Sequence, residues 1–400
     1  MKFEIEPLVT EILNQLPDSV WTSKTTTFFD PAIGGGQFVK EIESRLLAAG
    51  HSKDNIRKRV FGFEESELHI RYAVNKHSLL GQYVRKPSMR VLELEENMKF
   101  DVVVGNPPYE ATSDDGRKDQ ANNLWSKFTQ KGMSLVKTGG HIAFVIPNSW
   151  LSPAADVGKG KHGTRFFNDY FQKFKTLILN VNECARHFDV GSTFSYFVVE
   201  KSVSSKFDTK VVTDQTEYVM DLRDIHYLPK TMHPLAISIN KKVLDIVDKF
   251  GIVGNNLPET RMDMQADQTK EFCVPAYHTS SKGGTYWYAK KAISTASKPK
   301  VIISISGNYV PVYDNGGMSF TGMCVVYYLE GTDKLDSVQS YLNSKLVRFV
   351  LNENKYTGWV SPVITDLPNV DKTKVWTDKD LYKHFKLTKE EVKYIEDATK

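Results

Sequence analysis

FDVVVGNPPY, residues 100–109, is the stretch from which the rest of the chain can be read. Phe100 and residues 102–104 form a short, nearly unbroken apolar run, which suits a strand covered on both faces. The run stops at Gly105, and Asn106, Pro107, Pro108 and Tyr109 follow. Two consecutive prolines stiffen a turn and remove two N–H donors. The carbonyls of Asn106 and Pro107 are then expected to turn outward as acceptors, and Asn106 adds a side-chain acceptor. Open α/β sheets bind ligands beyond the carboxyl ends of their strands. A rigid pair of acceptors beside an aromatic ring at that edge suits a planar molecule carrying an exocyclic NH2.

Working outward, residues 1–202 alternate strand-like and helix-like segments. Strands are expected at 25–32, 59–64, 89–94, 100–105, 141–147, 176–181 and 194–200. Helices are expected at 37–49, 66–80, 122–136 and 164–174; in the first of these Phe38, Ile42, Leu46 and Leu47 share one face. Such alternation predicts an α/β fold, an open and mostly parallel sheet with helices on both faces. The last two strands are joined by a short connection, so that pair is expected to be antiparallel. A polar stretch at 202–206 (SVSSK) reads as a linker. It divides the chain into a first domain, 1–202, and a second, α+β domain, 206–400. In the second, strand-like runs at 301–305 and 323–329 precede a helix at 335–351. Thr388 and Glu391 form a capping box that opens a terminal helix.

Composition narrows the classes. Lys+Arg total 52 against Asp+Glu 48, a net charge of +4, so any basic surface must be local. Cys184, Cys273 and Cys324 are widely spaced and form no CxxC, which argues against a disulfide framework or a zinc site. No metal site is expected. The first residues carry acids within their apolar run and do not read as a signal peptide. No apolar stretch has the length of a membrane span. The expected location is the cytoplasm, of a prokaryotic cell or of the host of an encoding phage or virus.

DPAIGGGQF, residues 30–38, lies between the first strand and the first helix of the alternating series. Glycines there allow a tight turn and close approach of backbone to a ligand, with free N–H donors at the helix start. NAD and FAD enzymes use the same device, but the GxGxxG spacing fails because Val39 stands at the third glycine position. Asp30 ahead of the turn suits a cationic amine better than a pyrophosphate. S-adenosylmethionine has such an amine and no phosphate. Glu64 ends the second strand, where a carboxylate accepts hydrogen bonds from ribose hydroxyls; Glu65 is its neighbour and rival.

NPPY after an apolar strand, downstream of DPAxGxGxF, resembles the N6-adenine DNA methyltransferases of restriction–modification systems, in the motif order of their gamma group. The resemblance covers residues 25–202 well and continues more loosely to the C-terminus. It implies a Rossmann-like domain dependent on S-adenosylmethionine, followed by a target-recognition domain. The cofactor would be held by Asp30, Ala32, Gly34, Gly36, Phe38 and Glu64, with Glu93 where the family usually has an Asp for the cofactor's adenine. Asn106, Pro107, Pro108 and Tyr109 would be catalytic. Asn106 Oδ1 and the Pro107 carbonyl would accept from N6–H, and the amine would attack the sulfonium methyl directly. N6 is hidden in a duplex, so the base must be flipped out, to stack on Tyr109 with Phe188 against its other face. Phe194 is the rival of Phe188. NPPY alone is shared with enzymes that methylate RNA bases or protein glutamines, and a catalytically idle specificity subunit is a further alternative.

Three flanking segments bear on the same cleft. PNSW, residues 147–150, is expected to shape it or to form a plain turn. Residues 110–120 and 153–163 are polar loop candidates, the latter with Lys159 and Lys161 able to meet phosphate. In the second domain no acid occurs from Cys273 to Tyr313, while Lys282, Lys290, Lys291, Lys298 and Lys300 interleave with Tyr286, Trp287 and Tyr288. Cations beside aromatics suit contact with a nucleic-acid backbone. The expected partners are therefore double-stranded DNA and, as the family allows, a companion restriction endonuclease; the chain itself is expected to be a monomer.

Overall fold

The computed structural model describes residues 6–94, 97–112, 118–151, 166–181, 193–203, 208–213, 216–254, 257–355 and 362–400. The chain separates into two compact units, the first made of Met1–Trp150 with Arg165–Asp224 and the second of Ile225–Lys400 with Leu151–Thr164.

The first unit is built on β1 (Phe28–Asp30), β2 (Val60–Glu64), β3 (Gln82–Arg85), β4 (Phe100–Gly105), β5 (Glu110–Thr112), β6 (Lys118–Asn123), β7 (Val136–Pro147), β8 (Lys175–Val181), β9 (Phe194–Glu200), β10 (Thr209–Thr213) and β11 (Glu217–Met220). Nine of them make one sheet, in the order β11-β10-β8-β9-β7-β4-β1-β2-β3, and β5 pairs with β6 as a separate hairpin. From β7 to β3 every pairing is parallel. β9 runs antiparallel to both β7 and β8. This is the α/β class expected, with the antiparallel pair in the expected place. The apolar run at 102–104 is fully buried because β4 sits near the middle of the sheet.

The described α-helices are α1 (Glu6–Leu13), α2 (Asp18–Thr22), α3 (Gln37–Ala48), α4 (Lys53–Arg57), α5 (Glu67–His77), α6 (Ser88–Leu92) and α7 (Leu124–Leu135), and Phe167–Gln172 forms a π-helix within the span expected to be helical at 164–174. Leu8 and Ile12 of α1 and Phe38 and Ile42 of α3 pack with Val104 and Val145 over one face. On the other, Trp150 stacks on Phe167, and Phe171 meets Phe197 edge-on at 5.1 Å.

Two expectations are corrected. Residues 89–94 do not form the third strand: Pro87 caps the short helix α6 there, and the strand is β3. Proline ahead of a helix supplies a favourable φ where no N–H partner is needed, whereas QYVR is a largely exposed edge with no apolar alternation. The first domain also does not end at 202. Parallel pairing of β10 with β8, and the β10–β11 hairpin, extend the sheet past the supposed linker.

The second unit holds two four-stranded sheets. One orders Val253–Gly254, Cys324–Tyr328, Lys300–Ser304 and Val312–Asp314; the other orders Met264–Gln265, Thr285–Ala289, Val274–Thr279 and Ser319–Phe320. The helix expected over 335–351 is two, Leu335–Leu342 and Lys345–Glu353, because Ser344 caps a new start by accepting from the Val347 N–H. The Thr388 capping box is present in both halves.

Candidate active site

The glycine turn is shaped by its neighbours. In β1 and β2, Asp30 pairs with Gly62, and the Ile33 N–H donates to the Phe63 carbonyl at 2.9 Å. The chain then reverses through Gly34 (φ +50°) and Gly36 (φ +83°) into α3. A Cβ on Gly36 would come within 2.9 Å of the Ala73 Cβ on α5, so the residue is required by conformation and by close packing together.

Two acids flank this turn. Glu64 Oε2 accepts from the Gly34 N–H at 3.0 Å. Its Oε1 accepts from the Ser66 N–H at 3.1 Å and lies 3.2 Å from His69 Nδ1. Asp30 is 2 % exposed, and its Oδ1 accepts from the Ala32 N–H at 2.9 Å. Burial, with the charge of Glu64 adding to it, pushes the Asp30 carboxyl up to about 7, against some help to the anion from Ala32.

Asp30 also reaches the second loop. Gly105, the last residue of β4, has φ +152°, and a Cβ there would fall 2.8 Å from Asp30 Oδ1. The acid of the glycine turn and the residue ahead of Asn106 are therefore in contact. Beyond Gly105 the Tyr109 hydroxyl donates to Asn106 Oδ1, and the Leu124 N–H holds the Tyr109 carbonyl at 3.2 Å. The Tyr109 ring packs on Phe194, centroids 5.4 Å apart and planes inclined by 35°. Pro107 is buried; Asn106, Pro108 and Tyr109 are half-buried.

The turn after β7, Asn148–Leu151, closes this end of the sheet. Asn148 is buried, its N–H donates to the Thr193 carbonyl at 3.0 Å, and its Oδ1 accepts from the Ser195 hydroxyl. Trp150 Nε1 donates in turn to Ser195 Oγ at 3.3 Å. PNSW is thus a hydrogen-bonded turn, with Asn148 and Trp150 buried, that ties the end of β7 to the start of β9.

Asp30, Ala32, Gly34, Gly36, Phe38 and Glu64 gather around one turn, and Asp30 joins them to the Asn106–Tyr109 loop. Glu93 is not brought among them by any contact described: it caps α6, exposed and paired with Arg90 at 2.7 Å. Phe188 and residues 153–163 lie outside the described residues. Residues 110–112 and 118–120 belong to the β5–β6 hairpin. His77 escaped the sequence reading. Its Nε2 donates to the Gly35 carbonyl at 3.1 Å, and burial, with Lys40 and Lys76 nearby, holds its pKa below the ordinary value. Only its place two turns after His69 on α5 hinted at such a buttress.

The basic candidates divide. Lys300 is corrected outright: it is fully buried, with Nζ 2.6 Å from Asp314 Oδ2 and bonded to the carbonyls of Ala296 and Lys298. Lys290 pairs with Glu271 at 2.5 Å. Both acids stand just outside the acid-free window, so the window concealed their pairing. Lys291 and Lys298 are exposed, the latter 5.6 Å above the Tyr328 ring. The Lys282 side chain lies outside the described residues. Tyr286 is 44 % exposed, while Trp287 stacks on His278 at 4.4 Å.

Among the described residues no group of acids, histidines and cysteines has the arrangement of a metal site, and no helix is long and apolar enough to cross a membrane. No curated protein matches the chain. Solved structures that resemble it include the M protein of the type I restriction enzyme EcoKI (18% identity, 53% of this chain and 48% of that one, TM-score 0.39). Another is the type IIL restriction–modification enzyme MmeI in complex with DNA (12%, 90% and 65%, 0.46). A third is the type IIG restriction endonuclease BpuSI (10%, 97% and 61%, 0.44). The chain thus spans about half of the EcoKI subunit and under two thirds of the other two. Residues 27–188 match the model of the Eco57I restriction-modification methylase family.

Proposed function

We propose that the protein transfers the methyl group of S-adenosylmethionine to the N6 amine of an adenine in double-stranded DNA. The observation that carries this reading is the closeness of Asp30 Oδ1 to Gly105, where an added Cβ would fall 2.8 Å from it, which supports taking the glycine turn and the Asn106–Tyr109 loop as one site. The donor's chemistry fits the residues present. A buried carboxylate with a raised pKa gains most from a cation, which would restore its charge. Glu64, partly committed to the Gly34 N–H, keeps acceptor capacity for ribose hydroxyls. When bound, the donor supplies an electrophilic methyl on sulfur.

The rest of the chemistry falls to the chain. The adenine N6 lone pair is delocalised into the ring, so the amine is a weak nucleophile. Acceptance of its hydrogens by Asn106 Oδ1 and the Pro107 carbonyl draws the nitrogen toward sp3 geometry. Direct attack then needs no covalent enzyme intermediate, and catalysis is positioning and electrostatics. Base extrusion costs a few kcal/mol, and stacking on Tyr109 returns ~1–3 kcal/mol. Phe188 is proposed for the opposite face of the base. Exposed Lys291 and Lys298 are the candidates for backbone phosphates, and Lys300 is withdrawn.

The test is transfer of tritiated methyl from S-adenosylmethionine to duplex DNA, RNA and protein in parallel. Label in N6-methyladenine of duplex DNA, abolished by Asn106→Ala with donor binding retained, is expected. Label in RNA or glutamine, no label at all, or normal turnover by Asn106→Ala would overturn it.

A further inference from the structure

Asn106 carries the reading above, yet a primary amide is ambiguous. Its two ends are nearly the same shape, one accepting and the other donating hydrogen bonds. An incoming NH2 meets a partner if Oδ1 faces it and a repelling donor if Nδ2 does. Something must choose the end. In the structure the Tyr109 hydroxyl donates to Asn106 Oδ1. Turned over, the amide would present Nδ2 to the hydroxyl and lose the bond that Oδ1 accepts from it. The contact thus favours one orientation, and uses only one of the two lone pairs on Oδ1.

The phenol is itself held. Its ring lies against Phe194, which is 5 % exposed and faces Pro147 across the β7–β9 pairing. The Tyr109 carbonyl accepts from Leu124. We propose that Tyr109 is a positioning residue through its hydroxyl, which keeps the Asn106 amide oxygen available to the substrate amine, and that Phe194 sets the tilt of the ring that carries it. This rests on the proposed role of Asn106 as the acceptor of N6–H. It separates two duties in one side chain, stacking by the ring and orientation by the hydroxyl.

Tyr109→Phe keeps the ring and removes the hydroxyl. Single-turnover methyl transfer should fall about 3- to 10-fold, the range of one modest hydrogen bond. Donor affinity and base extrusion, read by 2-aminopurine fluorescence at the target position, should stay unchanged. Phe194→Leu should lower the rate by a similar factor and add little on top of Tyr109→Phe. In an Asn106→Asp background both carboxylate oxygens accept, so loss of the hydroxyl should cost less than about 2-fold. A readout independent of turnover is the Asn106 side-chain 15N–1H2 pair, sharp in the parent and exchange-broadened in Tyr109→Phe. An amide pair unaffected by loss of the hydroxyl overturns the inference whatever the rates. So does an unchanged rate, or an equal loss in the parent and in the Asn106→Asp background. These results leave the reading of Asn106 standing, whereas normal turnover by Asn106→Ala removes that reading itself.

Discussion

Replacing Asp30 by Asn isolates the charge that the fold buries. The side chain is 2 % exposed, and its pKa rises from 3.8 to about 7. In the unfolded chain the carboxyl loses its proton near 3.8; in the folded chain it keeps it to about 7. Unfolding between these values releases a proton, so the parent loses stability as pH rises through that window and is level beyond it. Converted at about 1.4 kcal/mol per pH unit, the difference amounts to roughly 4 kcal/mol as an upper bound. Asparagine keeps the shape and can still accept the Ala32 N–H, but has nothing to ionise. The two proteins should be nearly equal in stability at pH 4. The variant should be more stable above pH 8, by as much as that bound. Urea unfolding of both, without methyl donor, at pH 4, 6 and 8.5 measures the difference, and other titrating groups cancel in it. A gap that stays constant with pH would refute the reasoning. If Asp30 meets a cationic donor, the parent's donor affinity should also rise through pH 7, while the variant's stays low and flat.

Gly105→Ala should destabilise the first unit by roughly 1–3 kcal/mol and suppress transfer, because φ +152° is strained for alanine and its Cβ meets Asp30; thermal melting and turnover report the two effects separately. Lys300→Met leaves half-buried Asp314 with only the Gly316 and Met318 N–H donors and should cost about 1–3 kcal/mol, visible in denaturant unfolding. Lys291→Ala with Lys298→Ala should instead leave stability unchanged, weaken duplex binding alike for all sequences and reduce the salt slope by about two, as read by fluorescence anisotropy.

What was legible in the sequence was whatever burial imprints on residue type. β4 and β9 stand at the residues expected, because central strands covered on both faces must be apolar along their length. α3 showed itself through 3.6-residue spacing and its preceding glycines. β3 was invisible because an exposed edge strand of four residues needs no apolar pattern. β10 and β11 were hidden by the polar stretch before them, which looked like the end of a domain. In the site, motif spacing singled out Asp30, Glu64 and Asn106. It could not show that Asp30 touches Gly105, or that Phe194 backs Tyr109, since those contacts join positions 75 and 85 residues apart in sequence. Lys300 misled because composition within a window is blind to the acid across the strand pair.

The reversed direction of β9 decides where the domain can be cut. Because it lies between β7 and β8, the strand that arrives last in that trio is the one that joins the other two. The family match stops at residue 188, six residues before it starts, and begins after α1. A polypeptide trimmed to those limits would leave two interior strands with bare hydrogen-bonding margins and an apolar face without its first helix. Such surfaces pair with neighbouring molecules, so the excised piece should aggregate, and soluble fragments will need to begin before Glu6 and run past Met220.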